Sequence, residues 1–193
     1  MRGKMTKLDV TMNKDEIEYF AETVQQWSEG AGRTANMLEW GSGGSTQMFL
    51  DHPGIGSLTS VEHNEEWYNK VTEALKDNPK RSHLDYLFIP PKAELRFYGY
   101  GVPTEESPCF NSEYINPQKA FDDLDPWSKD IYLIDGISRG ACLATVYAKA
   151  RLRDQNVLVF IHDYKGREEW YDWATSLYSN VEVVGSTLCK LTI

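Results

Sequence analysis

The chain has 193 residues, 41% of them apolar and 25% charged, which suffices for one domain with a substantial core. That balance excludes a collagen-like fibre or a disordered tail, and no apolar run approaches the ~20 residues a membrane helix needs. Twenty Lys and Arg against 29 Asp and Glu leave a net charge of −9, which opposes binding to nucleic acid.

The first residues, MRGKMTKLDV, are basic without an apolar stretch, unlike a secretory leader. Residues 13–29 place Ile17, Phe20, Ala21, Val24 and Trp27 at helical spacing behind a capping Asn13, with Gly30 as the expected stop. Short apolar runs and helical stretches then alternate. Strands are predicted at 37–40, 58–61, 84–89, 131–134 and 157–161. Helices are predicted at 45–50, 64–76, 139–153 and 167–178.

The fourth and fifth strands are almost wholly apolar, as in a parallel sheet covered on both faces. Alternation at this spacing predicts an α/β fold, a doubly wound three-layer sandwich with right-handed crossovers. Runs at 181–184 and 188–193 are too close together for a crossover. They must pair as an antiparallel hairpin, which makes the last strand antiparallel in a mostly parallel sheet.

Residues 90–127 form a long connection, rich in aromatics and turn formers, with one short helix expected at 118–124. A connection of this length in a compact domain is functional or disordered, and its aromatics argue against disorder. Phe97, Tyr98, Tyr100, Phe110 and Tyr114 suit either a lid over a ligand or a contact between two copies, which leaves room for a homodimer. Cys109, Cys142 and Cys189 make neither a disulfide framework nor a zinc motif and point to a reducing, cytoplasmic setting.

In doubly wound sheets, ligands bind at the carboxyl ends of the strands. The first strand ends in LEWGSGGST, which offers Glu39, Gly41, Ser42, Gly43, Ser45 and Thr46 at a tight turn into a helix. The second ends in SVEHNEEWY, where Glu62 can accept both hydroxyls of a ribose and His63 follows. The fourth ends in LIDG and the fifth in FIHDY, which supplies Asp135, His162 and Asp163 as candidate reaction groups. His162 is the expected general base, since its reference pKa lies near neutrality.

A dinucleotide fingerprint needs a third glycine where Thr46 stands, which disfavours an NAD-binding oxidoreductase. LEWGSGGST, SVEHNEEWY, LIDGISRGACLA and VFIHDYKGREEWY, in that order, resemble the class I S-adenosylmethionine-dependent methyltransferases. More narrowly, they resemble a group of small methyltransferase-like proteins. The resemblance runs from about residue 36 to the end and implies a Rossmann-like methyltransferase sheet in a single domain over 1–193, with 90–127 as an insertion.

It also implies roles for these residues. Gly41 and Gly43 would pass under the methionine part of S-adenosylmethionine, with Glu39 near its ammonium, Glu62 on the ribose and His63 near the adenine. Catechol-type relatives hold magnesium with an Asp after the fourth strand and an Asp-Asn pair after the fifth. Tyr164 stands where that Asn would be, so a metal-free site is favoured over magnesium, which stays the alternative. The implied activity is methyl transfer to a small molecule, with a bias to oxygen; a cofactor-binding protein without turnover is the competing reading.

Overall fold

The structure, a computed structural model, describes residues 8–90, 112–120 and 125–193. Helix α1 (Lys14–Ala31) starts at a reciprocal capping box. Asn13 Oδ1 accepts from the Glu16 amide at 3.0 Å, and Glu16 Oε2 accepts from the Asn13 amide at 3.0 Å. The helix runs past the expected stop: Gly30 stays helical, and Gly32 at φ 64° makes the left-handed cap.

The chain continues as β1 (Ala35–Trp40), α2 (Gly44–Asp51), β2 (Ile55–Glu62), α3 (Glu65–Leu75) and β3 (Leu84–Phe88). Then come α4 (Ser112–Ile115), β4 (Ile131–Ile134), α5 (Arg139–Leu152), β5 (Leu158–Ile161), α6 (Glu168–Thr175), β6 (Asn180–Val184) and β7 (Leu188–Thr192). The seven strands form one sheet in the order β3-β2-β1-β4-β5-β7-β6. Neighbours from β3 across to β5 are parallel, and β7 runs antiparallel to both β5 and β6. The mostly parallel sheet with an antiparallel last strand is therefore present.

Sequence spacing does not say which hairpin strand meets β5; burial does. Leu188, Cys189 and Leu191 of β7 are buried, whereas Val181 and Val183 of β6 are exposed. The more apolar strand takes the interior, and the more exposed one takes the edge.

Alternate residues of each strand feed opposite faces, which makes three layers. Met37 joins Phe20 and Val24 of α1, Phe49 of α2 and Val71 of α3 on one side. Leu38 and Trp40 join Tyr114 of α4, Leu143 of α5 and Tyr171 of α6 on the other.

Three expectations change. The short helix expected at 118–124 is replaced by α4 and a 3-10 turn at Pro117–Ala120, with 121–124 outside the described residues. The helix expected at 167–178 is shorter, because α6 ends at Thr175. Tyr114 is no lid residue: it is fully buried, edge-on to His63 at 5.8 Å. Phe97, Tyr98, Tyr100, Cys109 and Phe110 lie outside the described residues.

Candidate functional site

The crossovers through α2 and α3 lead from β1 to one edge, and the crossover through α5 leads from β4 toward the other. The carboxyl ends of β1 and β4 therefore diverge into a crevice, where such sheets bind ligands. Gly41 sits in that crevice at φ 87°. A Cβ there would lie 2.7 Å from the Asp135 carbonyl carbon and from the Gly136 nitrogen. Only glycine lets the end of β1 turn against the end of β4.

A cleft of about 770 Å³ opens beside it, lined by Ser42, Glu62, His63, Trp67, Asp135 and Asp163 among others. The Ser42 amide and hydroxyl donate to Glu62 Oε2 at 2.9 and 2.7 Å, and the amides of His63 and Asn64 donate to Oε1 at 2.8 Å each. Burial pushes the Glu62 pKa up, but these donors and the His63 ring outweigh it and hold the carboxyl below its ordinary value. Glu62 thus ties the glycine loop to the start of α3. The Tyr86 hydroxyl lies 2.6 Å from Ser42 Oγ and extends this network.

Glu39 does not face the cleft. It is fully buried and accepts from the hydroxyls of Ser45, Thr46 and Ser60 at 2.6, 2.7 and 2.8 Å. Burial outweighs those donors and pushes its pKa up to about 7. The expected place beside a ligand ammonium is corrected, because Glu39 and its hydroxyl partners close on one another under the loop. Ser45 and Thr46 are likewise absent from the cleft lining, and Thr46 Oγ1 also accepts from the Gly43 amide at 2.9 Å. Gly43 lies below Trp67: a Cβ there would meet the indole at 3.7 Å, and the indole N–H donates to the Ser42 carbonyl.

The candidate reaction groups do come together. His162 Nδ1 is 3.1 Å from Asp135 Oδ1 and 3.8 Å from Asp163 Oδ1, and its Nε2 faces Glu16 Oε2 at 3.6 Å. Burial lowers the pKa of His162, but the Asp135, Asp163 and Glu16 carboxylates outweigh it and raise the value above normal. Both ring nitrogens of His162 therefore face carboxylates.

Asp163 is the most open of the three, with its side chain 32% exposed and its backbone at φ 55°. Positive φ at a non-glycine is strained backbone, the kind concentrated at functional turns.

Several residues here escaped the sequence reading. Arg139, the first residue of α5, bonds both Asp135 and Asp163 at 3.2 Å. Glu16 reaches the cluster from α1 and takes the amides of Thr187 and Leu188 at 2.6 and 2.9 Å. The segment before α1 also belongs to the site: Thr11 lines the cleft, and Asp9 packs so close to Gly44 that a Cβ there would lie 2.4 Å from its carbonyl oxygen. Arg139 lies in LIDGISRGACLA and Glu16 in the first turn of α1, but neither position announces the contact of Arg139 with Asp163 or of Glu16 with Thr187 and Leu188.

No family model matches the chain, and no curated protein matches it. Among solved structures it is similar to a methyltransferase-like protein from Silicibacter pomeroyi, with a TM-score of 0.69 at 19% identity over 98% of this chain and 90% of that one. A methyltransferase from Geobacter sulfurreducens gives a TM-score of 0.60 at 11% identity, over 94% and 80%. Precorrin-6y C5,15-methyltransferase from Geobacter metallireducens gives 0.55 at 12% identity, over 97% and 92%. The strand order, the antiparallel β7 and these likenesses give the chain the fold of the class I methyltransferases.

Proposed function

We propose that the protein is an S-adenosylmethionine-dependent methyltransferase acting on a small-molecule acceptor at oxygen, in the cytoplasm. The observation that carries the reading is the cleft at the sheet's switch point, walled by Glu62 at the end of β2 and by Asp135 and Asp163 at the ends of β4 and β5. Its volume of about 770 Å³ suits a nucleoside-sized ligand with room for an acceptor.

The residues fit the cofactor. Gly41 keeps the crevice floor free of side chain, and Glu62 lines the cleft with its Oε2 held by Ser42. Ser42 Oγ can turn to Tyr86 and release that oxygen to a ribose hydroxyl. The bound cofactor supplies a methyl group on a cationic sulfonium. Methyl transfer is an in-line displacement, so the protein's main task is positioning. Asp163, the open carboxylate, accepts the hydrogen bond of an acceptor hydroxyl in this reading. The net charge of −9 supports a small-molecule acceptor over nucleic acid.

Titration calorimetry with S-adenosylmethionine and with NAD tests the cofactor, with binding expected for the first alone. NAD binding alone overturns the reading. Turnover with a panel of hydroxylated small molecules then separates an enzyme from a cofactor-binding protein without activity.

A further inference from the structure

We propose that Arg139 stands in for a divalent cation in this cleft, filling a latent metal site whose ligands are Asp135, His162 and Asp163. One ligand atom from each of these residues fits within a 4.8 Å span. Two carboxylates and an imidazole at that spacing are a donor set for a cation such as Mn²⁺. Carboxylates this close on neighbouring strand ends also repel unless a positive group lies between them.

Arg139 supplies that group. Its Nη2 is 3.2 Å from Asp135 Oδ1, and its Nη1 is 3.2 Å from Asp163 Oδ2. Nη1 also donates to the His162 carbonyl, Nη2 donates to the Asp135 carbonyl at 3.2 Å, and Nε donates to the Gly136 carbonyl at 2.9 Å. The guanidinium gathers oxygens from the ends of β4 and β5, as a coordinated ion would, but with fixed directions. Arg167 joins Asp163 Oδ2 from the open side at 3.2 Å.

The His162 ring lies in the same cluster, with one nitrogen facing Asp135 and the other facing Glu16. Arg139 already pairs with both Asp135 and Asp163, so a divalent ion would have to displace its guanidinium. Removing Arg139 leaves the two carboxylates undercompensated and opens the space between them. The inference concerns cation binding alone and stands apart from the methyl-transfer reading.

Mn²⁺ titration, followed by the electron paramagnetic resonance of the free ion, tests it on the whole chain. The wild type is expected to show no saturable site. Arg139→Met is expected to gain one site, with at least about a tenfold rise in apparent affinity, which the added Asp163→Asn change removes. Arg139→Gln, which keeps donors for the strand-end carbonyls without the charge, is expected to gain the same site. A variant that folds only when Mn²⁺ is added also supports the proposal. A saturable Mn²⁺ site in the wild type that Asp163→Asn abolishes overturns it. So does failure of Mn²⁺ to bind or to restore either Arg139 variant.

Discussion

Glu39 and Glu62 are both carboxylates at strand ends, yet their surroundings drive them in opposite directions. Glu39 meets three hydroxyls in a dry site, and burial wins; Glu62 meets backbone amides and the His63 ring, and the donors win. A carboxyl raised from 4.5 to about 7 is a stability cost that is absent below the lower value and complete above the upper one. Glu39→Gln should therefore gain on the wild type by roughly 3 kcal/mol between those limits, read by urea denaturation across that range. A pH-independent difference would contradict the buried, neutral Glu39. At Glu62 the change to Gln should weaken S-adenosylmethionine binding by about 1.5–3 kcal/mol, the span of charge-assisted hydrogen bonds, with little change in the fold. Calorimetry on the folded variant decides it, and unchanged affinity removes Glu62 from the ribose.

At the scale of elements, the first turn of α1 does two jobs. Asn13 caps the helix locally, while Glu16 completes the capping box with Oε2 and holds the β6–β7 turn with Oε1. Asn13→Ala should cost about 1 kcal/mol, as helix caps do. Glu16→Ala should cost more, because it also leaves the Thr187 and Leu188 amides without their acceptor and removes the carboxylate facing His162 Nε2. Denaturation of the two variants side by side gives the order, and equal losses would mean that the contact to β7 contributes nothing. The turn of β1 into α2 has a similar economy. Gly41→Ala forces a Cβ into the end of β4 at a positive φ, so both stability and cofactor binding should fall, whereas Gly43 has only the Trp67 indole at contact distance.

Across the whole molecule, these groups set a pH profile. Glu16 and Glu62 lie below their ordinary value of 4.5, so their contribution is complete above that value and is lost as pH falls. His162 lies above its ordinary 6.5, so its contribution is complete below that value and is lost as pH rises through the folded pKa. Glu39 adds its cost between 4.5 and about 7. Stability should peak at about pH 4.5–5 and fall on both sides, which denaturation midpoints across the range will show. A profile still rising at alkaline pH would mean that the surrounding carboxylates do not raise the His162 pKa.

The sequence alone determined much of this. The helical period at 13–29 and the unbroken apolar runs at 131–134 and 157–161 marked elements because burial patterns the chain, and the short gap before 188–193 forced a hairpin. The strand ends bearing Gly41, Glu62, Asp135, His162 and Asp163 were legible because a doubly wound sheet always offers those ends to the crevice. Tertiary structure decided the rest. Whether Glu39 faces cleft or core, which carboxylates the His162 ring meets, and where Arg139 and Glu16 reach all depend on distances that the folded chain sets. Hydrogen bonds and desolvation act over a few ångströms, and only folding sets those separations. The placement of β7 rather than β6 beside β5 has the same origin, since it follows from which strand the finished core can bury.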